Sequence, residues 1–273
     1  MNILASLVLY KHSYHDIEQT LHSLLCEENI DKLVIVDNGA FCQWLDKYSH
    51  PKVEVIRLSC NRGFGAGHNQ VFERFKDSCD FFLICNPDIY YAKGEVDKFS
   101  TFCYQRNVDL SVPKIIYPNG ALQYATKLLP APLQLFGRRF LSSVVTGIND
   151  EYELRDANFN APFYAPSMSG CFMLVSSRAI KRVHGFDTRY FMYLEDVDFS
   201  RRISSEGLNV IYCPESTVVH QSQRKSYRSF KFLFYHLASS VKYFNKWGWF
   251  FDKERVQMNS RCLSLLPRNF FKK

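Results

Sequence analysis

Along the first hundred residues, apolar positions alternate between two periods. Residues 2–10 (NILASLVLY) form a nearly unbroken apolar run, whereas residues 16–26 (DIEQTLHSLLC) place apolar side chains at helical spacing. DKLVIVDNG and VEVIRLS follow as two more strands with WLDKYSH between them, GAGHNQVFERFKD opens as a helix after a glycine-rich turn, and DFFLICNPD is apolar almost throughout. Strands buried on both faces and alternating with helices predict a mostly parallel central sheet flanked by helices, an α/β, Rossmann-like fold covering roughly residues 1–100.

The second half is less regular. VDLSVPKIIYPNGALQYA carries strand signals around a Pro-Asn-Gly turn, and residues 128–166 lack a clear period and read as a long, mobile loop with short helices. SMSGCFMLVSSRAIKRVHGFD predicts a strand and a short helix ending near Gly185. LEDVDFSRRISSEGLNVIYCPESTVVH predicts a helix closed by Gly207 and then strand reaching His220. With no internal repeat and no low-complexity linker, the simplest organisation is one catalytic domain over 1–222 and a C-terminal helical appendage over 223–273. Within the domain, 1–100 would be the nucleotide-binding half and 101–222 the acceptor and catalytic half.

Composition narrows the class. Of 273 residues, 47% are hydrophobic and 22% charged, a globular balance, and no run reaches the 18 or so apolar residues of a spanning helix. The N-terminus has no basic lead and no small-residue cleavage site, and reads as a first strand. Nine cysteines at scattered spacing, without a CxxC pair, read as reduced, mostly buried thiols of a cytoplasmic protein. The charge is uneven: residues 221–273 hold 12 Lys and Arg against two acids, the preceding chain 22 against 25. Such asymmetry suggests an anionic surface as partner. Nucleic acid is disfavoured because no recognition motif accompanies the charge.

Five constellations could carry chemistry. Asp37 ends the strand VIVDNG, where α/β sheets bind ligands, though Asp-Asn-Gly is equally an ordinary turn. NRGFGAGHN (61–69) has glycines at 63, 65 and 67 that would let backbone approach a ligand ahead of a helix N-terminus. The acid Asp88 about 20 residues on also fits a dinucleotide fingerprint, so a Rossmann-type oxidoreductase stands as the rival reading. Asn86-Pro87-Asp88 is either a cation-holding acid after a buried strand or a plain turn. In FMYLEDVD, acids among aromatics suit acid–base work, or simply favour a helix N-terminus. His220, after TVV, is a ligand or a structural histidine.

Taken in order over residues 3–220, these pieces closely resemble the family 2 inverting glycosyltransferases of the GT-A fold, and most of all the bacterial rhamnosyltransferases of lipopolysaccharide O-antigen synthesis. Ser169 to His220, with GFD, FMYLEDVD and the closing His, is the most specific stretch. The resemblance implies Asp196 as catalytic base. It implies nucleotide-sugar contacts from Tyr10, Asp37, Asn61, Gly65, Asn69, Asn86 and Asp88, and acceptor contacts from Gly170 and Glu195. It also implies a divalent cation, Mg²⁺ or Mn²⁺, on Asp88 and His220. Asn86 replaces the first acid of the family's metal-binding motif, leaving one charged ligand. The implied partners are a nucleotide-diphosphate sugar (dTDP-rhamnose or a UDP-sugar) and a lipid-linked saccharide acceptor.

The tail fits such an acceptor. Residues 228–246 place Phe230, Leu233, Phe234, Leu237, Val241 and Phe244 on one helical stripe with Arg228, Lys231, Lys242 and Lys246 around it, and WGWFF and RNFFKK add aromatics and cations. The stripe would either pack on the catalytic domain or lie in an anionic membrane interface. The second option would place the protein peripherally at the inner face of the bacterial cytoplasmic membrane. A non-catalytic membrane-associated scaffold is the remaining alternative.

Overall fold

A computed structural model describes residues 1–137, 150–222 and 230–268. Its centre is a six-stranded sheet. Strands β1 (Ile3–Leu9), β2 (Ile30–Asn38), β3 (Val53–Leu58) and β4 (Phe81–Cys85) are parallel, in the order β3-β2-β1-β4. Their near-continuous apolar runs reflect burial on both faces: every residue of β4 is buried, and β1 has only Val8 partly exposed. Helices α1 (Tyr14–Leu25), α2 (Phe64–Phe75) and α3 (Glu95–Gln105) connect and flank them. α1 starts in a capping box, with the Ser13 hydroxyl accepting from the Asp16 amide and the Asp16 carboxylate accepting from the Ser13 amide.

Beyond β4 the order changes. β5 (Ile89–Tyr90) leaves the main sheet, and β6 (Leu110–Ser111) and β11 (Phe172–Ser176) complete it, with β11 antiparallel to both β4 and β6. A smaller sheet has β5 and β7 (Pro113–Ile116) on either side of β12 (Ile211–His220), which also pairs with β9 (Phe163–Tyr164). β8 (Thr126–Lys127) and β10 (Ser167–Met168) form a two-stranded ribbon. α4 (Ser177–Val183) ends on left-handed His184 and Gly185, as the sequence placed it, and α5 (Glu195–Ser205) is followed by left-handed Gly207.

Two stretches depart from the sequence reading. α3 was not anticipated, although Val96, Phe99, Phe102 and Cys103 carry a helical spacing and are all buried; Glu27 accepts from the Gly94 and Val96 amides at its start. The stretch read as a loop, 128–166, contains a π-helical turn at Leu133–Gly137 and strand β9; residues 138–149 lie outside the described residues. All nine cysteines are free thiols, six of them buried.

The C-terminal helices α6 (Phe230–Trp247) and α7 (Lys253–Leu265) pack on the catalytic half. Arg201 on α5, 1% exposed, grips Asp252 with two bonds of 2.7 Å beneath the Trp247 ring, 4.0 Å from its guanidinium. Asn259 makes both amide bonds to the backbone of Leu129, and Cys262 joins the main core. The face of α6 that packs is not the expected stripe. Ser239, Ser240, Tyr243 and Phe244 are buried, whereas Phe230 (91% exposed), Phe234 (68%) and Val241 (42%) point outward. At 3.6 residues per turn, the packed face is rotated by roughly a quarter turn from the apolar stripe, in which Leu233 and Leu237 are half-buried and Phe244 is buried. Arg228 and residues 269–273 of RNFFKK lie outside the described residues.

Within the core, His68 on α2 has no exposed surface. Its Nδ1 lies 2.7 Å from Ser6 Oγ, and Phe64, Phe72 and Phe186 surround the ring. Burial pushes its pKa from 6.5 down to about 3, so the imidazole is neutral. The unfolded chain takes up this proton below pH 6.5 and the folded chain refuses it, so the contribution to stability is lost as pH falls through that window. In urea titrations, the stability advantage of the parent over His68→Phe should shrink by about 2 kcal/mol between pH 6.5 and pH 5. A pH-independent difference contradicts a neutral buried His68.

Candidate active site

The site gathers at the carboxyl end of β4. Because β11 runs against β4, with Phe172 opposite Cys85, the residues that precede β11 lie beside those that follow β4, and the Asn86 amide donates to the Cys171 carbonyl at 2.8 Å. The Asn86-Pro87-Asp88 turn is braced by Thr20 of α1, whose hydroxyl donates to the Pro87 carbonyl at 2.7 Å. Ile89 pairs with His220 in the smaller sheet, and this brings His220 Nε2 to 3.2 Å from Asp88 Oδ1. His220 Nδ1 lies 3.0 Å from Gln123 Oε1, which orients the ring and directs Nε2 at the carboxylate. Burial works against a charged His220, but hydrogen bonds to Asp88 and to the Cys171 thiol outweigh it and lift the pKa to about 10.

Once a cation displaces the proton held between them, the Asp88 carboxylate and the neutral His220 imidazole would suit a hard divalent metal. Neighbouring ligands of an octahedral Mg²⁺, at about 2.1 Å from the metal, lie about 3 Å apart, close to the separation seen here. Among the described residues no three His, Cys, Asp or Glu are placed together to hold a metal, so further ligands would be substrate phosphate and water, as is usual for Mg²⁺.

On the other flank stands Asp196, second residue of α5. Its Oδ2 accepts from the Gly170 amide and its Oδ1 from the Val197 amide, both at 2.9 Å. Gly170 eases this approach, since a Cβ there would come to 3.2 Å from the Asp196 Cβ and 3.3 Å from the Phe64 ring and press on both. Burial raises the pKa of Asp196, opposed by these amides and by Lys127 on β8. Glu195, 6% exposed and with Oε2 lacking a partner, is raised well above the carboxylate range by burial and by the adjacent Asp196. Both carboxyls are pushed upward by burial, with Asp196 pulled back by the amides it accepts from. The turn before them is strained, with Tyr193 (φ 69°) and Leu194 (φ 65°) both left-handed, at a cost of about 1–3 kcal/mol each.

The nucleotide-side residues are placed differently from expectation. Asp37 is fully buried, and its two oxygens accept from the Phe41 and Cys42 amides at 3.1 Å, so it shapes the 37–42 turn. That turn presents Phe41, 52% exposed, edge-on to Tyr10 (centroids 5.4 Å apart) with Lys11 over both rings. Asn61 accepts from Asn38 Nδ2 and the Gly63 amide, while Asn38 also bonds the backbone of Arg62 and Gly63. Asn38 and Phe41 went unmarked in the sequence, although both adjoin the Asp37 motif.

The glycines of NRGFGAGHN approach protein, not ligand. A Cβ on Gly63 (φ 92°) would meet the Phe191 carbonyl at 2.3 Å, one on Gly65 the Phe186 side chain at 2.7 Å, and one on Gly67 the Val8 side chain at 2.8 Å. The spacing that suggested a dinucleotide fingerprint is thus a packing requirement. Asn69 is likewise engaged by protein. Both ends of its amide bond the backbone of Phe186 at 2.8 Å, tying α2 to the Gly185-Phe186-Asp187 turn.

Sheet order, the site at the end of β4 and the reversed β11 define a GT-A glycosyltransferase, and comparisons with known proteins agree. The sequence profile described as Glycosyl transferase family 2 matches residues 7–182, and that of Glycosyltransferase like family 2 matches residues 135–238. The chain belongs to glycosyltransferase family 2. It is 25% identical over 257 residues to rhamnosyltransferase WbbL of Escherichia coli K12, covering 87% of this chain and 91% of the relative. It is 25% identical over 240 residues (81% and 76%) to N-acetylglucosaminyl-diphospho-decaprenol L-rhamnosyltransferase of Mycobacterium tuberculosis. Among solved structures, GalNAc-T7 with UDP, GalNAc and Mn²⁺ superposes with TM-score 0.60 at 14% identity, over 80% of this chain but 43% of that one. Mannosyltransferase PcManGT from Pyrobaculum calidifontis with GDP-Man and Mn²⁺ gives 0.59 at 14%, over 88% and 64%.

Asn69→Ala should lower stability in urea titration by about 2 kcal/mol, through two lost backbone bonds, while leaving affinity for a nucleoside diphosphate within about threefold. Lost affinity at unchanged stability contradicts the tie to Phe186.

Proposed function

We propose that the protein is an inverting rhamnosyltransferase. It moves L-rhamnose from dTDP-rhamnose onto a lipid-linked saccharide in bacterial cell-surface polysaccharide (O-antigen) synthesis. The observation that carries the reading is the amide-held Asp196 beside Gly170, one residue from Cys171, which in turn abuts both Asn86 and His220. The names of the two rhamnosyltransferase relatives support the donor sugar, and the second of them names a decaprenol-linked acceptor.

In this mechanism Asp196 removes the proton of the acceptor hydroxyl as that oxygen attacks the anomeric carbon from the side opposite the leaving group. The new C–O bond forms while the bond to the phosphate oxygen breaks, the nucleoside diphosphate departs, and the proton stays on Asp196 until product release. A single displacement through an oxocarbenium-like state inverts the configuration and needs no second carboxylate nucleophile. Asp88 and His220 would hold Mg²⁺ or Mn²⁺, which would neutralise charge developing on the diphosphate. Protonated Glu195 can donate a hydrogen bond to the acceptor sugar. Tyr10 and Phe41 offer an aromatic edge for the nucleobase.

The exposed part of the α6 stripe supports peripheral membrane contact at the cytoplasmic face. Phe230, Phe234 and Val241 face outward, Lys231 and Lys242 are exposed near them, and α6 contains no acid. No helix among the described residues is long and apolar enough to cross a membrane.

Incubation with dTDP-L-rhamnose, Mn²⁺ and a polyprenyl-diphospho-saccharide should release dTDP. Asp196→Asn should reduce this at least about 100-fold while dTDP with Mn²⁺ still raises the melting temperature. Unchanged turnover removes Asp196 from the mechanism. Separately, Phe230→Ser/Phe234→Ser should lower co-sedimentation with phosphatidylglycerol vesicles about tenfold or more without changing turnover on a short soluble acceptor. Equal sedimentation of parent and variant contradicts docking through this stripe.

A further inference from the structure

The two left-handed residues before Glu195 and Asp196 pose a question of support. Tyr193 and Leu194 are not glycine, and a backbone strained at two successive positions persists only where its surroundings over-determine it. From the main domain, the Phe64 amide holds the Phe191 carbonyl at 3.1 Å. Leu194 also packs in a cluster with Leu129 and with Met258 of α7, and α6 supplies polar and aromatic ties. Ser239 Oγ donates to the Met192 carbonyl at 2.8 Å, and the Tyr235 ring packs on Phe191 with centroids 4.8 Å apart. Past the turn, Asp198 is fully buried on the first turn of α5, and its Oδ1 accepts from Lys246 Nζ at 2.6 Å and Trp247 Nε1 at 2.8 Å. Lys246 also reaches Asp187 at 2.9 Å, at the far end of the same segment.

We propose that α6 is a positioning element for catalysis: Ser239 and Lys246 clamp the strained turn on both sides and thereby aim Asp196 at the acceptor. Part of the tail's positive charge therefore acts inside the molecule. Lys246 bridges two carboxylates of the catalytic half, and no anionic partner is needed to explain it. The proposal rests on Asp196 being the base. It adds that the C-terminal segment belongs to the active site through two named side chains, neither of which touches substrate.

The test uses the full chain, with kcat and KM for dTDP-L-rhamnose measured on Ser239→Ala, Lys246→Met and Lys246→Arg. Asp196→Asn and melting curves run alongside. The expected result is a kcat reduced tenfold or more in Ser239→Ala and Lys246→Met with KM for the donor within twofold of the parent, and recovery of most of kcat in Lys246→Arg, which can still reach both acids. Full kcat in Ser239→Ala and Lys246→Met beside an inactive Asp196→Asn overturns the positioning role alone. Retained turnover in Asp196→Asn instead overturns the assignment of the base. A parallel loss of kcat, donor affinity and melting temperature, not restored by Lys246→Arg, also overturns the proposal, since it marks a merely structural tie. Ser239→Ala removes a single hydroxyl and keeps the test decisive if Lys246→Met does not fold.

Discussion

The reversal of one strand organises this molecule. Four parallel strands end together at the carboxyl edge of the sheet, and β11 enters from that edge in the opposite direction beside β4. A parallel neighbour would carry its preceding loop to the far side of the sheet. An antiparallel one sets Gly170 and Cys171 against Asn86. Every contact of the candidate site follows from that juxtaposition. Gly170 holds Asp196, Cys171 reaches His220, and the departure of β5 into the smaller sheet brings His220 to Asp88.

Burial then differentiates chemically similar groups. Glu195 and Asp196 are adjacent acids on one helical turn, yet one oxygen of Glu195 has no partner while both oxygens of Asp196 accept backbone amides. Amide donors favour an anion and an apolar enclosure favours the neutral acid, so two neighbouring carboxyls meet opposite environments. The same logic silences His68, an imidazole inside an aromatic cluster with a pKa of about 3.

The α/β alternation of the first hundred residues was legible because buried parallel strands have a compositional signature. The order of motifs from Asp37 to His220 was legible because each stands at the end of an element. What the sequence concealed is the direction in which side chains point. The glycines of the 61–69 turn have the composition of a phosphate cradle but accommodate Phe191, Phe186 and Val8, and Asn69 belongs to Phe186. Local pattern could not reveal this, since all but the Gly67–Val8 contact bridge more than a hundred residues. The apolar stripe of α6 left two outcomes open, packing on the domain or facing a membrane. A stripe says that a face is apolar and not what covers it, and here a neighbouring face richer in serine and tyrosine makes the packing contacts. α6 consequently has two distinct sides, one bonded to the segment before Asp196 and one largely open to solvent.

Crystals grown with dTDP and Mn²⁺ test the central claim most directly, through the manganese anomalous signal. The account predicts one peak about 2.2 Å from both Asp88 Oδ1 and His220 Nε2, bridged to the diphosphate, with the Asp196 carboxylate facing the vacant sugar position beyond it. Diphosphate and manganese bound away from Asp88 and His220, with those two side chains still paired only to each other, would contradict it.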